Sequence, residues 1–571
     1  MQDSQKSIDK STGRALLFFK SLWNSPAFFS FTITVILLAI QLFFIRPFYL
    51  VNDDIFKILT VKGFAADPTP SPFVGYSNIL LGYLLMKLFA WVPDFPWYGW
   101  LLCLVQFLSF WVFLWLLRLK SSRWFHLSLF TGVWAGLFFI FFTYLQFTMT
   151  ALLAAFAGMM VFLMNGEGRP EPRQEGLLWA SGFLVIVSAL IRLDSLLVAL
   201  LVALPLILFR WMEKDFRGYA RRQGPYLGTV FLGVLILTAF NASWFHEDKA
   251  WAEYLRFDKA RVELQDYRIT QYSPQTKPYF DSVGWSENDL WLFKNWYYVN
   301  PDKFNADLFQ KLGAHFSRIG SAGKTASYPS LSDLFLSNWS SRMMIGFAVL
   351  LFFCSRFSRK YLLIQWLWVA LVFLALIYFY RAPERVTLPI LAFLVMLSMF
   401  YAENPFENPT GGPWVSRLKV LVLLFVFALS LSSPWDYYRQ NGGKRMAQDQ
   451  LRDFLNQVKP NDHQLYEVWY FPFEELGAFD SLECLRPFHL FLTSFCQTSP
   501  ASLRGLERFG VREPLRDAVD NPNVLFVCST EEGLHYYQYM KETYHRTIYA
   551  VPVFKCVHFE VFSIHSRPER L

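Results

Sequence analysis

Charge is what this chain of 571 residues is short of. Asp, Glu, Lys and Arg make up 17% of it, against about 25% in an ordinary soluble protein. Cysteine is scarce too, at six residues, which excludes a small disulfide-knit scaffold. No HExxH, GxSxG or CxxC occurs, so metalloprotease, serine-hydrolase and zinc-ribbon readings have no starting motif. Gly320 to Thr325 ends like a phosphate-binding loop, but two residues separate its glycines where four are needed. Internal repeats and low-complexity linkers are absent as well. What replaces charge is apolar and aromatic: 54% hydrophobic residues, with 61 Phe, 27 Tyr and 21 Trp. That composition excludes disorder and fibre.

The apolar residues are arranged in long runs. Residues 124–166 carry no formal charge over 43 positions, enough for two bilayer crossings at about 20 residues each. Residues 95–117, 223–246 and 361–380 each suffice for one. Charges between the runs divide the chain into crossings near 26–46, 97–117, 126–142, 148–164, 177–191, 195–209, 225–243, 341–355, 361–380, 386–402 and 418–434. The expected fold is a polytopic α-helical membrane protein with about 11 transmembrane helices. The first run follows a 25-residue polar tail without a small-residue cleavage site, so it reads as an uncleaved anchor.

Sidedness follows from basic residues, which favour the cytoplasm. The segment 74–92 contains Lys87, Asn78 and two Gly. Kept outside as an interfacial helix, it leaves nineteen Lys/Arg on cytoplasmic loops and span ends and seven on short outer segments. Letting it cross would invert every later loop. The N-terminus is then cytoplasmic, and the net charge of +8 needs no nucleic acid. Cys484, Cys496, Cys528 and Cys556 all follow the last crossing, and an even number suits two disulfides in an extracytoplasmic domain; Cys103 and Cys354 fall in crossings. Three pieces therefore lie outside: loops 47–96 and 244–340, and a small α/β domain over 435–571 in which helical and β-rich stretches alternate. Residues 1–25 form the inner tail, and 26–434 the membrane module.

Several polar groups stand against this background. Asp53 and Asp54 follow the first crossing and open an amphipathic stretch, Ile55, Phe56, Ile58 and Leu59, with Lys57 and Lys62 on the polar side. Adjacent carboxylates at a membrane boundary suit a general base toward a hydroxyl, or equally an acidic helix start. Arg192 and Asp194 sit in a tight outer turn, as a salt bridge or as an anion site. Arg381 and Arg385 occupy another outer turn, where a lipid-linked phosphate would account for arginines on the wrong side of the charge bias; snorkelling is the alternative. In the second loop, His246 and Glu247 suit metal ligands or a solvated helix end. Trp285, Glu287 and Asp289 belong to a turn that also reads as a capped helix start, with Ser286 three residues before Asp289. The aromatics around these motifs, Trp296 among them, fit an interfacial belt and also the faces of sugar rings.

The order of these features resembles the GT-C superfamily of integral-membrane glycosyltransferases, including protein O-mannosyltransferases and the lipid A aminoarabinose transferases. The resemblance rests on a cytoplasmic N-terminus, the acidic pair Asp53-Asp54 after the first span, a first outer loop with interfacial helices and a second span ending in Arg118, Lys120 and Arg123. A folded outer domain completes it. It implies a sugar donor on a polyprenyl phosphate or pyrophosphate and a periplasmic glycan, lipid or protein acceptor in the inner-membrane envelope. It also implies Asp53 or Asp54 as base, with inversion at the anomeric carbon. Arg192, Arg381 and Arg385 are the candidates for the departing phosphate by placement alone. No cofactor is indicated, and no ligand cluster demands a divalent metal. The rival expectation is a transporter or flippase of a lipid-linked or anionic substrate, with a midplane site between pseudo-symmetric halves. A polysaccharide polymerase or ligase using the same donor is a third.

Overall fold

A computed structural model of the chain describes residues 25–120, 124–164, 172–212, 216–268, 271–319, 339–353, 355, 359–379, 382–402, 453–458, 463–471, 473–555 and 559–567, with isolated positions at 417, 421, 424, 428 and 449. Among the described residues, eight helices are long and apolar enough to cross a membrane. They begin with Pro26–Phe44 and Trp97–Leu119, and end with Lys360–Ile377 and Glu384–Tyr401. The protein is thus a mostly helical chain of polytopic membrane type with a small sheet near its C-terminus. The eleven expected crossings are reduced for identifiable reasons. The segment 341–355 is the shorter helix Trp339–Phe353, 195–209 is divided between two helices, and 418–434 lies outside the described residues except for isolated positions.

A separate break falls where charge interrupts the apolar run. Helix Pro172–Val202 is broken at Arg192, whose backbone is extended (φ −161°, ψ 106°). The carbonyls of Leu201 and Val202 accept from Trp368 and Gln365, and Phe209 meets Tyr361. Rising numbers on one side therefore meet falling numbers along helix Arg359–Phe379. Helix Phe216–Glu247 keeps Phe231, Leu232, Leu235, Ile236 and Phe240 exposed. Such a face has hydrocarbon as its natural surroundings, not water.

Helix Ile79–Trp91 has 13 residues and spans about 20 Å at 1.5 Å per residue, short of the ~30 Å hydrocarbon core. It is among the shorter apolar helices, below the length of the eight. Two short strands tie the segment after the first helix to the chain before Phe147. Strand β1 (Phe48–Tyr49) pairs in parallel with β2 (Tyr144–Leu145), register Phe48 to Tyr144. The residues immediately after each strand, Asn52 onward and Phe147 onward, both start helices. Two helix N-termini are thereby brought together.

The C-terminal sheet has the order β4-β3-β5-β7-β6, from strands β3 (Leu465–Val468), β4 (His489–Leu492), β5 (Val524–Cys528), β6 (Ile548–Lys555) and β7 (Glu560–Ser566). β3, β4 and β5 are parallel, whereas β7 and β6 are antiparallel. Side chains alternate along each strand, and both faces of the parallel strands are covered. Tyr466, Val468, Leu490, Leu492, Leu525 and Val527 join the core shared with the membrane helices. Leu465, Phe491, Val524 and Phe526 join a second core with Phe280, Trp285, Leu290 and Phe309 of the long second loop. That loop and the C-terminal domain thus fold on one another. The parallel strands β3, β4 and β5 are buried on both sides, as parallel strands require, whereas the edge strand β6 is largely exposed.

The cysteine expectation is not met. Cys484, Cys496 and Cys528 are free thiols, and Cys556 lies outside the described residues. Ion pairs join the outer pieces instead. Lys62 meets Glu483 at 2.6 Å, Arg504 meets Asp67 at 3.2 Å, and Arg46 pairs with Asp480. Sidedness accordingly leans on the distribution of basic residues alone.

Candidate functional site

Helix Asn52–Lys62 starts with two carboxylates in its first turn and no side-chain cap. Neighbours on a helix point about 100° apart, and here that angle separates the pair completely. Asp54 turns inward and is fully buried. Its Oδ1 accepts from the Tyr98 hydroxyl at 2.7 Å and from the backbone N–H of Phe147 at 3.3 Å. Phe147 opens its own helix, so the N–H it offers has no partner within that helix. Asp54 Oδ2 has no hydrogen-bond partner. Burial pushes the Asp54 carboxyl up to about 7, opposed by the charge of Lys57 and the Tyr98 bond.

Lys57, expected on a polar face, is instead buried at 1% exposure. It donates to Ser77 Oγ at 3.0 Å and lies over the Phe147 ring. Burial lowers its ammonium to about 7, opposed chiefly by Asp54. Lys62, also placed on the polar side, packs into its ion pair with only 4% of its side chain exposed.

Asp53 turns the other way, into a cavity of about 530 Å³. Arg192, Asp194 and Arg385 line the same cavity. Arg192 reaches it because the broken helix puts its extended residue beside the start of helix Phe147–Met164. Its guanidinium donates to Thr148 Oγ1 at 2.8 Å, approaches Asp194 at 3.8 Å, and sits 5.2 Å from the Phe147 ring and 5.5 Å from the Tyr76 ring. Asp194 is largely exposed, with 73% of its side chain accessible, so the pair is loose and leaves the guanidinium available to an anion. Arg385 comes from the first turn of helix Glu384–Tyr401. Two carboxylates, Asp53 and Asp194, and two guanidiniums, Arg192 and Arg385, are thus gathered on this side of the cavity, at one end of the apolar helices.

The opposite wall comes from far along the chain. Trp469, Tyr470 and Phe471 follow β3, and Thr493, Ser494 and Phe495 follow β4. Crevices beyond the carboxyl ends of parallel strands are the usual ligand sites of such sheets. The second loop adds Asp266, Tyr267, Asn295 and Trp296.

The remaining sequence candidates lie elsewhere. His246 and Glu247 are exposed at the end of helix Phe216–Glu247. Trp285 is a core residue whose Nε1 donates to the Lys303 carbonyl. Asp289 closes a capping box with Ser286 and pairs with Lys303 at 2.7 Å, while Glu287 faces solvent. None of these lines the cavity. Arg381 lies outside the described residues. Among the described residues, no group of three or more His, Cys, Asp or Glu is disposed to hold a metal.

The sequence alone missed Tyr98 and Tyr76, and the spacing of Lys57 three residues after Asp54 was the one local signal for that contact. Of the second-loop aromatics flagged as sugar stackers or belt, Trp296 reaches the cavity.

No protein-family model and no curated protein matches the chain. Among solved structures it is similar to ArnT from Cupriavidus metallidurans in the apo state, at 12% identity and a TM-score of 0.42, over 97% of this chain and 98% of that one. It is also similar to ArnT from the same organism bound to undecaprenyl phosphate, at 12% identity and a TM-score of 0.40, over 92% and 97% of the two chains.

Proposed function

We propose that this protein is a membrane glycosyltransferase that moves a sugar from a polyprenyl-phosphate carrier to a hydroxyl of a periplasmic or cell-envelope acceptor. The observation that carries the reading is the cavity lining: a partly exposed carboxylate, Asp53, shares it with the guanidiniums of Arg192 and Arg385 beside the apolar helix ends. A membrane-borne phosphate and a hydroxyl nucleophile are the two reactants such a lining suits. A cavity at one end of the helix bundle also favours an enzyme over a carrier with a midplane site.

In this reading the acceptor hydroxyl gives its proton to Asp53 as its oxygen bonds to the anomeric carbon. The bond from that carbon to the phosphate oxygen breaks, and the polyprenyl phosphate departs with the electron pair. Arg192 and Arg385 carry the charge that develops on it. Attack opposite the leaving phosphate inverts the anomeric centre. Asp54 does not line the cavity; its part is to fix the start of helix Asn52–Lys62 against Tyr98 and Phe147, and so to aim Asp53.

The test is binding and transfer by the full chain in lipid nanodiscs. Wild type binds polyprenyl phosphate, and Arg192→Ala with Arg385→Ala weakens that binding at least tenfold, whereas Asp53→Asn binds normally but transfers no sugar. Absence of polyprenyl-phosphate binding by wild type, or undiminished transfer by Asp53→Asn, defeats the proposal.

A further inference from the structure

Two bulky residues on the cavity wall have left-handed backbone. Tyr76 has φ +54° and Trp296 has φ +73°, a region that aromatic side chains rarely enter. Strain of this kind persists where surrounding contacts over-determine the backbone, and it gathers at ligand sites. Here a single side chain supplies much of that determination for both. Arg261 is completely buried. It donates to the Tyr76 hydroxyl at 2.8 Å, and its guanidinium lies 4.7 Å from the Trp296 ring.

Arg261 is itself fixed by Asp258 at 2.6 Å and Gln265 at 2.9 Å. Gln497 holds the Trp296 carbonyl at 2.7 Å, and Phe495 packs on Tyr76 at 5.2 Å between ring centroids. The buried cation backs the Trp296 ring, ties the Tyr76 hydroxyl, and does not line the cavity.

The groups around these rings define the ligand. Asn52, Asp53, Asp266 and Asn295 line the same cavity, and Asn52 Oδ1 has no hydrogen-bond partner. Carboxylates repel a second phosphate but accept from hydroxyls, as do amide oxygens. Aromatic faces attract the weakly positive C–H groups of a sugar ring through their quadrupole. Tyr76 also lies next to Arg192, so a sugar joined directly to a phosphate held there would reach its ring.

We propose that Tyr76 and Trp296, both held by Arg261, form a stacking subsite for a pyranose ring. The proposal rests on the glycosyltransferase reading for the sugar's role but not for its binding. Arg261 is then a positioning residue.

The experiment is saturation-transfer NMR on the full chain in nanodiscs with methyl glucoside, methyl galactoside and methyl mannoside. At least one should receive saturation at its ring C–H protons from wild type, and Trp296→Leu should weaken that binding at least tenfold. Trp296→Phe, which keeps an aromatic face, should weaken it about threefold and covers the case in which the leucine variant fails to fold. No signal with wild type, or an unchanged signal in a folded Trp296 variant, overturns the proposal.

Competition assigns the sugar's source. Displacement by hexosyl polyprenyl phosphate but not by bare polyprenyl phosphate identifies the donor's sugar, and displacement by neither identifies the acceptor's; both outcomes uphold the subsite. Should wild type bind pyranoside but no polyprenyl phosphate, the transfer reading falls and the stacking subsite stands.

Discussion

Two short helices of this protein, Asn52–Lys62 and Glu287–Lys294, begin with acidic residues, and their fates differ. In Glu287–Lys294 the carboxylate of Asp289 is consumed locally: it closes a capping box with Ser286 and pairs with Lys303. In Asn52–Lys62 no side chain caps the helix. One carboxylate is spent on Tyr98 and Phe147, and the other, Asp53, faces a cavity with two arginines. A carboxylate enclosed by its own neighbourhood is architecture; one held in place yet open to a cavity is available for chemistry.

The sharpest way to break this contrast is to neutralise each acid. Asp53→Asn should lower transfer about 1000-fold, in the range seen on removing a general base, with no change in thermal stability. Asp289→Asn should leave turnover per folded molecule unchanged while lowering stability by about 2–4 kcal/mol, because Lys303 loses its buried partner. Similar losses of turnover in both would erase the distinction.

Arg385→Ala should follow in size. It is expected to weaken polyprenyl-phosphate binding about tenfold, by losing a charge-assisted contact, and to leave acceptor KM unchanged. Equal effects on donor and acceptor would remove its phosphate role. Asp54→Asn should reduce stability more than turnover, since it leaves the buried Lys57 without its opposing charge; thermal melting measured alongside activity separates the two.

The smallest effect concerns Glu467, buried on β3 with Oε1 accepting from Trp469 Nε1 and Oε2 unpaired. Burial raises its carboxyl from 4.5 to about 8. Between those values the folded chain keeps a proton that the unfolded chain releases, so stability falls as pH rises through that window and then levels. Glu467→Gln should flatten this dependence and raise Tm by a few degrees at pH 8. An unaltered slope would assign the pH dependence to other groups.

Much of the membrane part was legible in the sequence because charge-free runs long enough to cross a bilayer are rare outside membrane proteins. The junction at Arg192 was legible for the same reason, since a charge between two apolar runs asks for a helix end. Local pattern failed where contacts span hundreds of residues. Nothing near Asp53 announces that Trp469 and Thr493 form the facing wall, and nothing near Lys57 announces Phe147. Glu287 and Asp289 read two ways because the Ser-x-x-Asp pattern that caps a helix also looks like a cluster of reactive groups, and the capping box is present. The cysteines misled through parity, which counts thiols but says nothing of distance.

The most direct measurement of the central claim is the glycan and lipid profile of the cell envelope, by mass spectrometry, in a strain lacking this protein and complemented in turn by wild type and Asp53→Asn at equal expression. A sugar-bearing species should vanish on deletion, return with wild type and stay absent with Asp53→Asn. Its full return with Asp53→Asn would contradict the assignment of that carboxylate to the reaction.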